Sequence, residues 1–241
     1  MNTLLTKIPV FPIWPKQIDI NGVKIAVRGS LLDPQIRRNL MKGRYEAAER
    51  ELAAAFIQPG DQILELGASV GIVTCFLARS AGRGGKVVSV EPNVLLKPYF
   101  ERQLEINGIQ AELIHALCCP LWKQSIPEDL ASQTYLASYS SLSGRIARSG
   151  EQGISVRWIT AEEVCRETRL EPTAVVADIE GTEVVWTEYS PNFPESLHTI
   201  ILEVHPHLVG AQKAGRVIQA VVDEGFRVAG AQGNVFAFQR A

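Results

Sequence analysis

Two acids and two glycines between residues 65 and 91 carry the most legible chemistry of this chain. Glu65 lies in the apolar run Ile63-Leu64-Glu65-Leu66, which opens into a turn framed by Gly67 and Gly71 with Ala68, Ser69 and Val70 between them. A second apolar run, Lys86 to Val90, ends in Glu91 and is followed by Pro92-Asn93. Strand, glycine turn, helix, strand and acid are the parts with which a βαβ unit builds a nucleoside pocket. The glycines bring bare main chain to the ligand, and the second acid accepts hydrogen bonds from ribose hydroxyls. A glycine turn alone occurs in many α/β proteins; the two acids at this spacing are what point to a nucleoside-bearing cofactor.

The turn also selects among cofactors. A dinucleotide fingerprint reads G-x-G-x-x-G and sets a pyrophosphate on a helix N-terminus. Here the spacing is G-x-x-x-G, and Ile72, Val73 and Thr74 continue the helix where a third glycine would stand. Negative charge at Glu65 suits a cation better than a pyrophosphate. S-adenosylmethionine, with a sulfonium, an ammonium group, a ribose and no phosphate, is the expected cofactor. Its expected contacts are Gly67, Ala68, Ser69 and Gly71 at the methionine end, with Glu65 near the ammonium group or the turn that holds it, Glu91, Pro92 and Asn93 at the adenosine, His115 and Ala116 at the adenine edge, and Asp178 at the methyl-transfer face. His115 reads equally well as an ordinary half-buried histidine. A nicotinamide-dependent oxidoreductase with Glu91 on the ribose, or a non-catalytic cofactor-binding module, are the alternatives.

A second group lies further along. Asp178 ends the apolar run Ala174 to Ala177, where a carboxylate is costly unless it meets a partner or ligand. Glu203 and His205 alternate at the end of another strand and share one face. His205, with an ordinary pKa of ~6.5, is the natural general base, and Asp178 and Glu203 complete a catalytic group with it. A structural histidine bonded to one of those acids is the competing reading. Asp178, Glu180, Glu203 and His205 also make a set able to collect a divalent metal, although a metal-free mechanism is expected. Glu180 reads as a residue opening the next helix and Glu183 as a surface or helix-pair residue. Glu46, Glu49 and Glu51 read as solvated partners of Arg37, Arg38, Lys42 and Arg44, with Tyr45-Glu46 placed to close over the cofactor.

The elements that must position these residues alternate in a way that predicts a mostly parallel sheet covered on both faces. Strands are expected at 62–66, 86–91, 112–116, 174–178 and 198–204. Helices are expected at 71–81, 94–107, 181–188 and 211–224. A terminal hairpin around Gly230-Ala231-Gln232-Gly233 adds a reversed strand. Before the core come an extended arm from Ile8 to Pro15, a hairpin over Gln17 to Arg28 turning at Asn21-Gly22, and a helix from Asp33-Pro34 to about Phe56 interrupted near Gly43. An insertion between the third and fourth strands holds Ser140-Ser141-Leu142-Ser143-Gly144-Arg145 and a short strand near 154–158, and is long enough to shape a substrate pocket. The division is an N-terminal extension over 1–57 and a cofactor-binding domain over 58–241.

Bulk properties narrow the partners. With 24 basic and 26 acidic residues the net charge is −2, so no strong field exists for nucleic acid or an anionic membrane. Apolar runs are shorter than the ~20 residues a spanning helix needs, and the first residues do not read as a signal peptide. Cys75, Cys118, Cys119 and Cys165 show no metal or redox spacing, which suits a reduced cytoplasm. A homodimer is compatible with the reading.

The chain resembles the FkbM family of class I S-adenosylmethionine-dependent methyltransferases. The resemblance rests on Glu65-Leu66-Gly67-Ala68-Ser69-Val70-Gly71, Val90-Glu91-Pro92-Asn93, Asn107-Gly108, Ala177-Asp178-Ile179-Glu180-Gly181-Thr182-Glu183 and Leu202-Glu203-Val204-His205-Pro206. It covers about residues 45 to 239, and the Asp-Ile-Glu-Gly-Thr-Glu block is its most specific part. Ser69 stands where Asn is common, and Glu65 where Asp is. The resemblance implies a Rossmann-like seven-stranded sheet with a reversed last strand, and O-methylation of a hydroxyl on a small molecule or sugar.

Overall fold

The computed structural model describes residues 15–28, 32, 34–122, 124–136, 144–147 and 151–241. The expected arm from Ile8, the cap residue Asp33 and the Ser140–Ser143 segment lie outside the described residues, apart from Pro15 at the arm's end. The chain opens with a hairpin of β1 (Gln17–Ile20) and β2 (Val23–Ala26) that turns at Asn21-Gly22, as expected. The expected single helix is two, α1 (Pro34–Met41) and α2 (Ala47–Phe56), because Gly43 and Glu46 both take positive φ between them.

The core then alternates. β3 (Gln62–Leu66), α3 (Ile72–Ala81), β4 (Lys86–Val90), α4 (Lys97–Asn107) and β5 (Glu112–Ile114) follow in turn. The insertion holds β6 (Leu117–Cys119), α5 (Glu128–Ala131), β7 (Tyr135–Leu136), β8 (Arg145–Ile146), β9 (Trp158–Thr160) and α6 (Ala161–Thr168). β10 (Ala174–Ala177), β11 (Thr199–Glu203), α7 (Pro206–Val209), α8 (Ala211–Asp223), β12 (Phe226–Gln232) and β13 (Val235–Arg240) complete the chain.

Three expectations are corrected. The third strand stops at Ile114, and Leu117–Cys119 leaves the main sheet to pair with β9. The insertion's strand lies at 158–160, while Ile154 makes only an isolated bridge with Tyr135. Helix α6 was not anticipated, although Thr160 and Glu163 form a capping box in which each side chain takes the other's main-chain N–H. The segment after β10 is a 3-10 turn, Thr182–Thr187, rather than an α-helix.

Seven strands form one sheet in the order β12-β13-β11-β10-β3-β4-β5. All run parallel except β13, the last in sequence, which is antiparallel to β11 and β12. This is the Rossmann-like methyltransferase fold. From β3 the chain builds outward through β4 and β5, then returns on the other side of β3 with β10. The switch between β3 and β10 opens a crevice at the carboxyl ends of the strands, the place where such sheets take ligands.

The N-terminal elements join this core. Val23, Ile25 and Leu40 pack with Val70, Ile72, Phe76 and Phe100, and Leu52 and Ala53 of α2 pack with Val73, Val176 and Ile201. Full burial of a side chain of this kind contributes ~1.5–3 kcal/mol, so the extension covers one face of the sheet and stands beside the crevice. Among the described residues no helix is long and apolar enough to cross a membrane.

Candidate active site

The cofactor side of the crevice is built from the turn after β3. Gly67 takes φ +87°, and a Cβ there would lie 1.8 Å from the main-chain oxygen of Asp178. Only glycine allows the β3 turn and the end of β10 to approach so closely. Gly71 takes φ +78°, and a Cβ on it would meet the Phe100 ring at 2.7 Å. The main-chain N–H groups of Gly67 and Ala68 both donate to the Val90 carbonyl, tying the turn to β4.

Glu91 finishes that tie. One carboxylate oxygen accepts from Ser69 N and the other from Asn93 N, each at 2.8 Å. Burial pushes its carboxyl up to about 7, with those two N–H donors holding it lower than burial alone would. A carboxylate has about four acceptor positions, so the ribose hydroxyls retain places to bond. Pro92 sits half-buried between Glu91 and Asn93, and Asn93 is buried. The Asn93 amide nitrogen Nδ2 has no hydrogen-bond partner, and neither has His115 Nε2. His115 Nδ1 lies 3.2 Å from the Glu91 carbonyl, which can only accept, so the ring proton is on Nδ1 and Nε2 is an acceptor. A buried donor and a buried acceptor, both unmatched, have the chemistry that pairs with an adenine's ring nitrogens and amine. The residues therefore fit S-adenosylmethionine.

Of the two places expected for Glu65, it takes the one at the turn and not the crevice: it is 2% exposed, and its carboxylate accepts from Thr74 Oγ1 at 2.6 Å and from Ser89 Oγ. Burial raises its carboxyl to about 7, against the pull of the Ser89 and Thr74 hydroxyls. Its place is beneath the turn, joining β3, α3 and β4. Ala116 is fully buried among core side chains beside Trp122, so its methyl group packs inward.

The opposite wall gathers residues from four separate segments. Asp178 N donates to the Leu66 carbonyl, which extends the β10–β3 ladder by one step and leaves the side chain at the crevice. Asp178, Glu203 and His205 each offer an atom within 4.8 Å of the others. His205 is 3% exposed. Its Nδ1 lies 3.1 Å from Glu183 Oε1, which also accepts the His205 main-chain N–H. The other ring nitrogen, Nε2, lies 3.1 Å from Asp178 Oδ1 and 3.9 Å from Glu180 Oε2. Asp178 Oδ1 is buried and forms no hydrogen bond, so its contact with Nε2 is ionic rather than a bond of good geometry.

These distances alter three expectations. Burial lowers the His205 imidazolium, but the carboxylates of Asp178 and Glu183 outweigh it and raise the group to about 10. A ring that keeps its proton at neutrality is not the free base expected from an ordinary histidine. Glu183, expected as a surface or helix-pair residue, is fully buried and orients His205, and its Oε2 accepts from Gly181 N. Glu49, expected in solvent, is buried and interacts electrostatically with Glu203. Burial, then Asp178 and Glu49, push the Glu203 carboxyl up to about 8. The 3.6-residue period places Glu49 on the inner face of α2 with Leu52 and Ala53, which was the available signal. For Glu183 it was the position five residues beyond Asp178, within a tight turn.

Tyr45 and Glu46 lie near Ser69 and Asp178. Burial raises the Tyr45 phenol well above its ordinary value, with Glu46 and Asp178 adding to it. The Arg50 guanidinium fixes their turn by donating to the Tyr45 and Gly43 carbonyls. Glu46, Ser69 and Glu180 all take positive φ, near +50°, without being glycine. Such conformations cost ~1–3 kcal/mol each and gather at functional sites.

No protein-family model matches the chain. Over 83 residues it is 34% identical to the carboxy-S-adenosyl-L-methionine synthase of Hydrogenovibrio crunogenus, a stretch covering 34% of this chain and 32% of that enzyme. The match thus spans about a third of the curated relative. Among solved structures it is similar to the precorrin-6y C5,15-methyltransferase of Geobacter metallireducens GS-15, with a TM-score of 0.47 and 13% identity over 82% of this chain and 89% of that one. It is also similar to a SAM-dependent methyltransferase of Aquifex aeolicus, with a TM-score of 0.42 and 14% identity over 86% and 96% of the chains. A third similar structure is the ribosomal protein L11 methylase of Lactobacillus delbrueckii subsp. bulgaricus, at 0.43 and 11% over 80% and 77%.

Proposed function

We propose that this chain is a cytoplasmic S-adenosylmethionine-dependent O-methyltransferase of the FkbM type, acting on a hydroxyl of a small molecule such as a sugar. The observation that carries this reading is the meeting of the two walls. The Gly67 turn and the Asp178 main chain touch, so the nucleoside cradle and the Asp178–Glu203–His205 group face one crevice. The extension over 1–57 is not separate from this site, since its helix α2 lends Glu49 to it.

When bound, S-adenosylmethionine supplies a methyl group on a sulfonium, which departs as a neutral thioether. The protein's share is to seat the acceptor in line with that methyl and to remove its proton. Glu183 holds the His205 ring from behind, and the charged ring in turn orients Asp178 toward the acceptor. Glu49 takes the hydroxyl proton. Burial raises its carboxyl above the ordinary value while neighbouring Glu203, itself pushed up to about 8 and so holding its own proton at neutrality, favours the ionised Glu49. Closure by Tyr45 and Glu46 excludes water, which favours a step in which opposite charges cancel. The acidic wall repels a phosphate backbone and so disfavours nucleic acid as acceptor.

The test is transfer of labelled methyl from S-adenosylmethionine across a panel of hydroxylated metabolites, with amines and RNA as controls. Label retained on a hydroxyl supports the reading. Label only on RNA, or on nitrogen, overturns it.

A further inference from the structure

The insertion after β5 is bonded to both walls of the crevice. On the cofactor side β6 begins two residues beyond His115 and pairs with β9, and Leu117 N donates to the Arg157 carbonyl. On the other side Trp186, in the 3-10 turn that carries Glu183, donates its indole N–H to the Pro120 carbonyl at 2.7 Å. Tyr135 stands between these ties. Trp158 of β9 donates its indole N–H to the Gln133 carbonyl at 3.2 Å, which anchors the chain two residues before Tyr135. Tyr135 itself pairs with Ile146 of β8 and is bridged to Ile154 on its other edge, so it is the middle of three short extended segments. A Cβ on Gly144 would lie 1.8 Å from its hydroxyl oxygen, and one on Gly153 would lie 2.9 Å from its carbonyl oxygen. The hydroxyl end is therefore seated against the Gly144 main chain, and the surface left for the crevice is the ring.

Among the described residues Tyr135 is buried outside the three apolar cores. Burial raises its phenol, and the charges that add to this are Glu91 and Glu180, one acid from each wall. A ribose held at Glu91 carries the sulfonium on a single methylene, and Glu180 lies on the acceptor side, 3.9 Å from His205 Nε2. A side chain that stands near both acids lies over the bond that is made and broken. We propose that Tyr135 covers the crevice at the sulfonium, where its ring face gives the positively charged donor a contact that the neutral thioether product lacks. A cation over an aromatic face is attracted by the ring quadrupole, more strongly where water is excluded. The insertion is then the third wall of the site, and it favours the exchange of spent product for fresh donor. This role of Tyr135 rests on the methyltransferase reading, since it requires that cofactor.

The experiment titrates the full chain by calorimetry with S-adenosylmethionine and, separately, with S-adenosylhomocysteine. In Tyr135→Leu the affinity for S-adenosylmethionine should fall about 3- to 30-fold, while that for S-adenosylhomocysteine changes far less. Tyr135→Phe keeps the ring and should keep the wild-type ratio of the two affinities. Gly144→Ala displaces the ring without removing it and should lower that ratio in the same direction as Tyr135→Leu. Circular dichroism checks that each variant is folded, and if Tyr135→Leu is not, Gly144→Ala decides by the same ratio. A ratio unchanged in Tyr135→Leu, or equal losses for both ligands, makes Tyr135 structural only, which overturns the proposal and leaves the methyltransferase reading intact. A ratio lost in Tyr135→Phe assigns the effect to the hydroxyl and overturns the ring contact. Wild-type chain that binds neither compound overturns the cofactor reading, and the role of Tyr135 with it.

Discussion

The two walls of the crevice solve opposite problems. Around β3 and β4 the side-chain acids are occupied: Glu91 clamps Ser69 N and Asn93 N, and Glu65 takes the hydroxyls of Thr74 and Ser89. What faces the ligand there is mostly main chain. Around β10 and β11 the acids face one another across an imidazole, and Asp178 Oδ1 is left without a hydrogen bond. One wall is a scaffold of main chain held in place by buried acids, and the other is a cluster of acids around one buried imidazolium. Recognition and reaction are thereby separated along one sheet.

The sharpest way to break this comparison is to damage each wall alone. Asp178→Ala should lower the turnover number by ~10²–10⁴-fold, while S-adenosylhomocysteine affinity by calorimetry changes far less. An equal loss in both would show that the walls are one unit. Gly67→Ala should do the reverse. Its Cβ would overlap the Asp178 carbonyl at a positive φ, so cofactor affinity should collapse and thermal unfolding should show a loss of about 3 kcal/mol.

A finer probe is Glu91→Ala, expected to weaken S-adenosylhomocysteine by ~1–3 kcal/mol. Its pH behaviour follows from burial, which lifts the carboxyl to about 7. Ribose hydroxyls donate to the ionised form, so affinity should rise as pH climbs through about 7 and become flat in Glu91→Gln. Stability of the free protein moves the other way. The folded chain holds the protons of Glu65 and Glu91 more tightly than the unfolded chain does. Their contribution is full below about 4.5 and is lost as pH rises through about 7. The smallest effect is expected far from both walls. Thr160→Ala removes the capping box of α6 and should cost ~1 kcal/mol in denaturant unfolding without altering cofactor affinity.

The same contrast explains what the sequence disclosed. The cofactor wall comes from one βαβ unit, so Gly67, Gly71 and Glu91 lie within 25 residues and their spacing was readable. Five central strands and three of the four expected core helices lie close to their observed bounds for the same reason, as each carries its own apolar period, while the fourth is a 3-10 turn. The other wall is assembled from α2, the ends of β10 and β11, and the turn between them. Asp178, Glu203 and His205 were legible as acids and a base at strand ends. Glu49 and Glu183 were not, because a carboxylate on a charged helix or after a glycine turn looks solvated until the fold buries it. The charge state of His205 was hidden likewise, since its neighbours come from residues 22 and 27 positions away. Helix α6 was missed beside a readable capping pair because the insertion's strand was placed too early.

The central claim is that a sulfonium nucleoside sits between the Gly67 turn and Glu91, and a crystal structure grown with S-adenosylhomocysteine tests it most directly. The account predicts ribose hydroxyls within hydrogen-bond reach of Glu91, adenine beside Asn93 and His115, and the sulfur directed toward Asp178. Density for the ligand on another surface, or a crevice that remains without it at saturating concentration, would contradict the account.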